Sequence, residues 1–246
     1  MEYANPIFFC YSYLDMLNID IYKNYQLILE EVKETAHKCG RDPDGIKIMA
    51  VTKNQSISAA LEAYNAGIRL FGENRVLEGA TKFRAMDKID CEVHLIGHLQ
   101  RNKARESLYF DCIQSIDKFD TIKAIKKYLR EKEVCEIFLE VNTSGETSKS
   151  GVDGYSELRN LLDNILNVPS FIVKGLMTIA PFTDDEKAVR KSFSSLRDMK
   201  EQLESEYATM QNLQLSMGMS GDYKCAILEG SDLIRIGSSL FGERRA

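Results

Sequence analysis

Eight short runs of apolar and β-branched residues, near 46–52, 69–72, 92–96, 112–116, 136–141, 173–178, 213–217 and 233–236, alternate with amphipathic stretches along the 246-residue chain. Runs that are apolar at nearly every position belong to strands covered on both faces, and regular alternation with helices makes such strands parallel. Eight β/α units are the number that closes a barrel. The pattern therefore predicts an α/β fold, a single (β/α)8 TIM barrel, with an open doubly wound sheet as the alternative. Tyr25, Ile28, Leu29, Val32 and Ala36 recur at helical spacing ahead of Gly40 and Pro43, which predicts an extra N-terminal helix before the first strand. Further helices are expected at Ser58 to Asn65, closed by Gly67, at Tyr155 to Leu166 and at Asp184 to Tyr207. No low-complexity linker divides the chain, so residues 16–246 are expected to form one barrel domain behind a loose extension over 1–15.

A formal net charge of -5 argues against a sequence-independent nucleic-acid binder, which needs lysine and arginine to displace condensed counterions. The densest basic run, Lys123 to Lys132, alternates with apolar residues and contains Glu131, and reads as a solvated helix face. Cys10, Cys39, Cys91, Cys112, Cys135 and Cys225 show no Cys-x-x-Cys pair and no histidine spacing suited to zinc. They read as reduced, mostly buried thiols of a cytoplasmic protein without a metal site. The uncharged run Tyr3 to Leu14 contains Pro6, is too short to span a bilayer and lacks the basic start of a signal peptide, so no membrane partner is expected. Without a long exposed apolar stripe, a monomer is expected.

In a barrel of this kind functional groups gather where the strands end and the following loops begin. The first strand, Ile46 to Val51, runs into Thr52-Lys53, which puts an amine just beyond an apolar strand. Partial burial there favours the neutral amine, the form that attacks a carbonyl; alone, such a lysine is more often a surface charge. The seventh strand ends in Leu215-Ser216-Met217-Gly218-Met219-Ser220-Gly221-Asp222 and the eighth in Ile234-Arg235-Ile236-Gly237-Ser238-Ser239. Glycine and serine turns on these two strands form the recurrent barrel phosphate site, although each turn alone is ordinary turn chemistry. Arg235, two residues before Gly237, points to the same side of its strand, as a structural ion-pair partner or as a donor to a heteroaromatic nitrogen. On this site logic alone, a barrel binding a sugar phosphate through a Schiff-base lysine is the first choice.

The segments Ala50-Val51-Thr52-Lys53, Phe71-Gly72-Glu73-Asn74, His94 through Lys103, Ser148-Lys149-Ser150-Gly151, Lys174-Gly175-Leu176-Met177, Leu215 through Ser220 and Arg235 through Gly242 occur in the order seen in one family. As a set, covering roughly residues 20 to 244, they make the chain resemble the pyridoxal phosphate homeostasis proteins, which are similar to the N-terminal barrel of alanine racemase, fold type III of pyridoxal phosphate proteins. The resemblance implies that Lys53 forms a Schiff base with pyridoxal 5'-phosphate, and that Ser216, Ser220, Gly237 and Ser238, with Gly218 in the same motif, hold the phosphate. It also implies that Arg235 faces the ring nitrogen and that Asn74 lies near the ring. Lys149 is either a second amine assisting cofactor transfer or a plain loop lysine, and His94 and His98 read as structural. The chain departs from the family pattern after Lys53, where Asn54-Gln55-Ser56 replaces a proline-containing turn, and at His98, where some members carry proline.

The resemblance implies a binding protein that stores, buffers or delivers pyridoxal phosphate, with dependent apoenzymes as partners. The alternative is a weak amino-acid racemase. Racemisation needs acid and base groups on both faces of the α-carbon, and the racemase draws one from a second subunit. The chain's end soon after the eighth strand leads to the expectation that the racemase's additional domain is absent. An arginine at the ring nitrogen also weakens the ring as an electron sink. Both points favour the carrier.

Overall fold

The strand and helix alternation expected from the sequence is present except between the third and fourth strands. The computed structural model describes residues 20–86, 90–131, 133–146 and 149–242; the extension expected over 1–15 lies outside them. In chain order the elements are α1 (Ile21–Lys38), β1 (Lys47–Val51), α2 (Ile57–Asn65), β2 (Leu70–Glu73), α3 (Val76–Ala85), β3 (Glu92–Leu95), β4 (Cys112–Ile116), α4 (Phe119–Lys126), β5 (Cys135–Asn142), β6 (Val152–Asp153), α5 (Gly154–Leu166), β7 (Phe171–Met177), α6 (Glu186–Glu206), β8 (Gln214–Met219), α7 (Tyr223–Leu228), β9 (Leu233–Ile236) and α8 (Ser238–Phe241). Between β3 and β4 the chain makes two 3-10 turns, Arg101–Lys103 and Glu106–Tyr109, in place of an α-helix.

The strands pair in the order β4-β3-β2-β1-β9-β8-β7-β5-β6, and a β4 to β5 pairing closes the ring. All pairings are parallel. That closure rules out the open sheet. The two-residue β6 hangs on β5 outside the ring.

Helix starts follow local capping. The Asp20 side chain accepts from the backbone N–H of Lys23, which starts α1 four residues ahead of the first periodic position, Tyr25. Ser56 caps α2 through the N–H of Ala59, and Asp185 caps α6. Strand alternation then sorts side chains between two environments. Ile48 and Ala50 face the helices, where they join the main core with Ile113, Ile137, Phe193 and Leu196. The isoleucine, leucine and phenylalanine side chains among them each contribute about 1.5–3 kcal/mol when fully buried. Met49 faces inward, where it packs with Leu70 and Leu233, and Cys112, Phe138 and Met177 form a second inner cluster. The same inward series from β1 continues through Val51 to Lys53 at the barrel mouth.

The cysteines found among the described residues are free thiols, and burial pushes Cys135 up to about 12 and Cys91 up to about 11. Such groups are inert as nucleophiles at neutral pH. No described helix is long and apolar enough to cross a membrane. Among the described residues no group of three or more His, Cys, Asp and Glu side chains is arranged to hold a metal ion.

Candidate functional site

At the C-terminal ends of the strands lies a cavity of about 550 Å3 whose wall includes Lys53, Asn74, Ser220, Arg235, Gly237 and Ser238. All six are candidates from the sequence, and the fold brings them together from β1, β2, β8 and β9. A slightly larger hollow on the outside of the barrel, between α1 and α7, shares Ser220 with it but contains neither Lys53 nor Arg235. The chemistry-bearing groups converge only in the first.

Lys53 is half-buried on a turn whose backbone is clamped on both sides. Lys82, on the buried face of α3, donates to the Thr52 carbonyl oxygen at 2.6 Å and to Glu73 Oε1 at 2.7 Å. Glu73 Oε1 also accepts from the Thr52 hydroxyl at 2.7 Å. On the far side the N–H of Asn54 donates to Glu78 Oε1 at 2.6 Å. Asn54 holds a left-handed φ of 60°, which asparagine tolerates better than most side chains, and this is how the chain turns without the family's proline. Burial raises the Glu73 carboxyl above its ordinary value despite the opposing hydrogen bonds from Lys82 and Thr52.

Asn74 follows Glu73 off the end of β2. Its carbonyl Oδ1 is buried and has no hydrogen-bond partner among the described residues. Gly97 lies against it so closely that an added Cβ would sit 2.1 Å from the Asn74 backbone oxygen. The His94 to Lys103 segment thus pins Asn74 through a glycine.

On the opposite wall the Ser220 hydroxyl accepts from the backbone N–H groups of Gly237 at 3.1 Å and Ser239 at 3.2 Å. Both N–H groups thus point at the Ser220 oxygen, and a glycine and serine turn that gathers backbone N–H groups beside a hydroxyl suits a tetrahedral anion. α1 braces this turn from outside, with Asn24 donating to the Leu240 carbonyl at 3.0 Å.

Ser216 and Gly218 stand apart from the cavity wall. Ser216 is fully buried inside the barrel, donating from its hydroxyl to Gln114 Oε1 at 2.7 Å. Gly218, at φ 96°, lies against α7, where an added Cβ would be 2.6 Å from Ala226 Cβ. The register of β8 against β9 shifts between Ser216 and Met219. This bulge turns Met219 and Ser220, in place of Gly218, toward the cavity.

Arg235, almost wholly buried, forms part of the cavity floor and donates to the Ser216 carbonyl at 2.7 Å, to the Ser216 hydroxyl at 2.9 Å and to the Thr178 carbonyl at 2.7 Å. Burial lowers it to about 10, which leaves it a cation at neutral pH. Its field reaches Glu140 of β5, whose carboxyl burial and the nearby Asp117 push up to about 7. Lys149 bonds Glu146 and the Ala180 carbonyl, each at 2.8 Å, and so is neither a bare loop lysine nor part of the cavity wall. His94 points into the barrel and is part of a polar chain, not a loop feature.

Lys82, Gln114 and Glu140 are not among the residues that the sequence singles out. A lysine at a core-facing helical position beside Gly79 is the one signal that points to Lys82; Gln114 and Glu140 sit in strands where parity alone does not tell interior from exterior across a bulge.

The sequence profile of the alanine racemase N-terminal domain matches residues 25–245. A pyridoxal phosphate homeostasis protein of Aquifex aeolicus is 36% identical over 220 residues, covering 89% of this chain and 96% of the relative. One from Vibrio cholerae is 37% identical over 234 residues, covering 91% and 96%. Among solved structures, PipY of Synechococcus elongatus with PLP bound superimposes with a TM-score of 0.75 at 32% identity, covering 86% of this chain and 100% of PipY. The chain therefore belongs to the alanine racemase N-terminal domain family and, within it, to the pyridoxal phosphate homeostasis proteins.

Proposed function

We propose that this protein binds pyridoxal 5'-phosphate as a Schiff base on Lys53 and serves to store, buffer or deliver it, with apoenzymes as recipients. The observation that carries the reading is one cavity bounded by the Lys53 amine on one wall and by Ser220, Gly237 and Ser238 on another. An aldehyde and a phosphate at opposite ends of one small molecule match that pair.

Three features fit the group. The orphaned Oδ1 of Asn74 supplies an acceptor that a hydroxyl on the ring would satisfy. Gly237 leaves the cradle open, since an added Cβ there would meet nothing closer than Val51 at 3.8 Å and would project into the space the phosphate needs. Arg235, a donor without acceptor capacity, would keep a ring nitrogen unprotonated. When bound, pyridoxal phosphate supplies an aldehyde and an electron-withdrawing ring; this chain's residues orient it, hold its phosphate and weaken its electron-sink character. That combination favours carrying over catalysis.

Equilibrium binding tests the cradle. Ser220→Ala, which removes one hydroxyl, is expected to weaken pyridoxal phosphate binding about 10-fold. Gly237→Val, which fills the cradle, is expected to abolish binding in the accessible range. Unchanged affinity in both variants would place the phosphate elsewhere.

A further inference from the structure

A chain of hydrogen bonds crosses the inside of the barrel from the cavity floor to the opposite mouth. Arg235 of β9 donates to the Ser216 hydroxyl of β8, Ser216 donates to Gln114 Oε1 of β4, and Gln114 Nε2 meets His94 Nδ1 of β3 at 2.7 Å. His94 Nε2 lies 2.7 Å from Glu92 Oε1, whose side chain is 41% exposed at the lower mouth. The interior members are buried, Gln114 and Ser216 completely.

The orientation of the Gln114 amide, with Oε1 toward Ser216 and Nε2 toward His94, sets the direction of the chain. A guanidinium can only donate, so Ser216 accepts from Arg235 and gives its own proton to Gln114 Oε1. The Gln114 amide then faces His94 with its N–H, so Nδ1 is a lone pair and the imidazole proton sits on Nε2, directed at the Glu92 carboxylate. The Glu92 carboxyl is held below its ordinary value first of all by this hydrogen bond.

We propose that His94, through Gln114 and Ser216, is a positioning residue for Arg235, and that a second proton on His94 turns the Gln114 amide and reorients the Ser216 hydroxyl against the guanidinium, whose bonds to the Ser216 and Thr178 carbonyls remain. A proton on Nδ1 forces Gln114 to turn its amide, after which Ser216 faces N–H donors on both sides and loses its acceptor. This rests on the proposed placement of the ring nitrogen against Arg235. The charged and titratable groups around His94 are Glu92 on its own strand, Cys112 in register on β4, and Lys47, Lys174 and Glu136 around the lower mouth. Those facing Arg235 are Glu140 and Asp222, with Asp117 beside Glu140.

The test has two parts. Nitrogen-15 spectra of the cofactor-free protein are expected to show His94 protonated on Nε2 with Nδ1 accepting a hydrogen bond, and Ser216→Ala to move the Nδ1 resonance. Glu140→Gln protein loaded with pyridoxal phosphate, so that Glu140 does not titrate, is then followed by visible absorption from about pH 5 to about pH 8, where histidine ordinarily changes charge. The parent is expected to show a spectral step. His94→Asn, which keeps an acceptor near the Nδ1 position and cannot gain a proton, is expected to hold the high-pH spectrum throughout. His94→Leu is expected to show the low-pH spectrum and about 10-fold weaker cofactor binding at every pH. A proton on Nδ1 in the free protein, or the same step in the Asn variant as in the parent, overturns the proposal. If His94→Leu does not fold, the nitrogen spectra and the Asn variant decide. A parent with no visible band contradicts the cofactor reading alone, and the nitrogen spectra with Ser216→Ala then decide whether the hydrogen-bond chain couples His94 to Ser216.

Discussion

The ammonium of Lys82 donates to the carbonyl oxygen of Thr52 at 2.6 Å, one residue before Lys53. Lys82 is 5% exposed and is paired with a Glu73 that is 0% exposed, so removing the cation leaves an uncompensated buried carboxylate. Lys82→Met is expected to cost roughly 3–5 kcal/mol of folding stability and to loosen the Lys53 turn. Urea denaturation measures the first effect and pyridoxal phosphate titration the second; a loss of affinity in a variant of near-normal stability would isolate the positioning role.

Glu140 ties stability to pH. Its folded-state value of about 7 lies above the ordinary 4.5, so between the two the folded protein binds more protons than the unfolded chain. Its contribution is therefore a penalty that is fully present above about pH 7 and disappears as pH falls below the unfolded value. Glu140→Gln is expected to stabilise the protein by about 1–3 kcal/mol at pH 8, with no gain at pH 4. Melting curves at the two pH values check the sign, and an equal effect at both would show that Glu140 does not titrate between them.

Asn74 separates a binding role from a structural one. Its Oδ1 is already unsatisfied in the folded protein, so Asn74→Ala is expected to change cofactor-free stability by less than about 1 kcal/mol while weakening cofactor binding several-fold. Gly97→Ala acts on the same residue from behind. Its Cβ would meet the Asn74 backbone at 2.1 Å, and the forced shift is expected to cost about 1–3 kcal/mol as well as affinity. Thermal melts and binding isotherms on the two variants distinguish these patterns.

Much of this arrangement is legible in the sequence because it depends on period and position. Eight apolar runs alternating with helices predict the closed parallel ring, and the residues following those runs place Lys53, Asn74, Ser220, Gly237 and Ser238 at one mouth. What escapes depends on contacts distant in sequence. Ser216 and Ser220 share strand parity, but the shift beyond Ser216 sends one hydroxyl into the barrel and the other to the cavity. Gln114 and His94, 20 residues apart, meet only because β3 and β4 lie side by side, and Ser216 reaches Gln114 only across the closed barrel. The missing helix between β3 and β4 is the other departure, where Arg101–Lys103 and Glu106–Tyr109 make tight turns instead.

In the proposed function, cofactor binding turns on Lys53. Purified protein with added pyridoxal phosphate is expected to develop a visible absorption band, and borohydride reduction followed by peptide mapping is expected to fix the label on Lys53. Lys53→Ala should show neither band nor label at that position while retaining weaker, phosphate-dependent binding through Ser220 and Gly237. An unchanged wild-type spectrum, or a label carried by another lysine in wild-type protein, would contradict a Schiff base on Lys53.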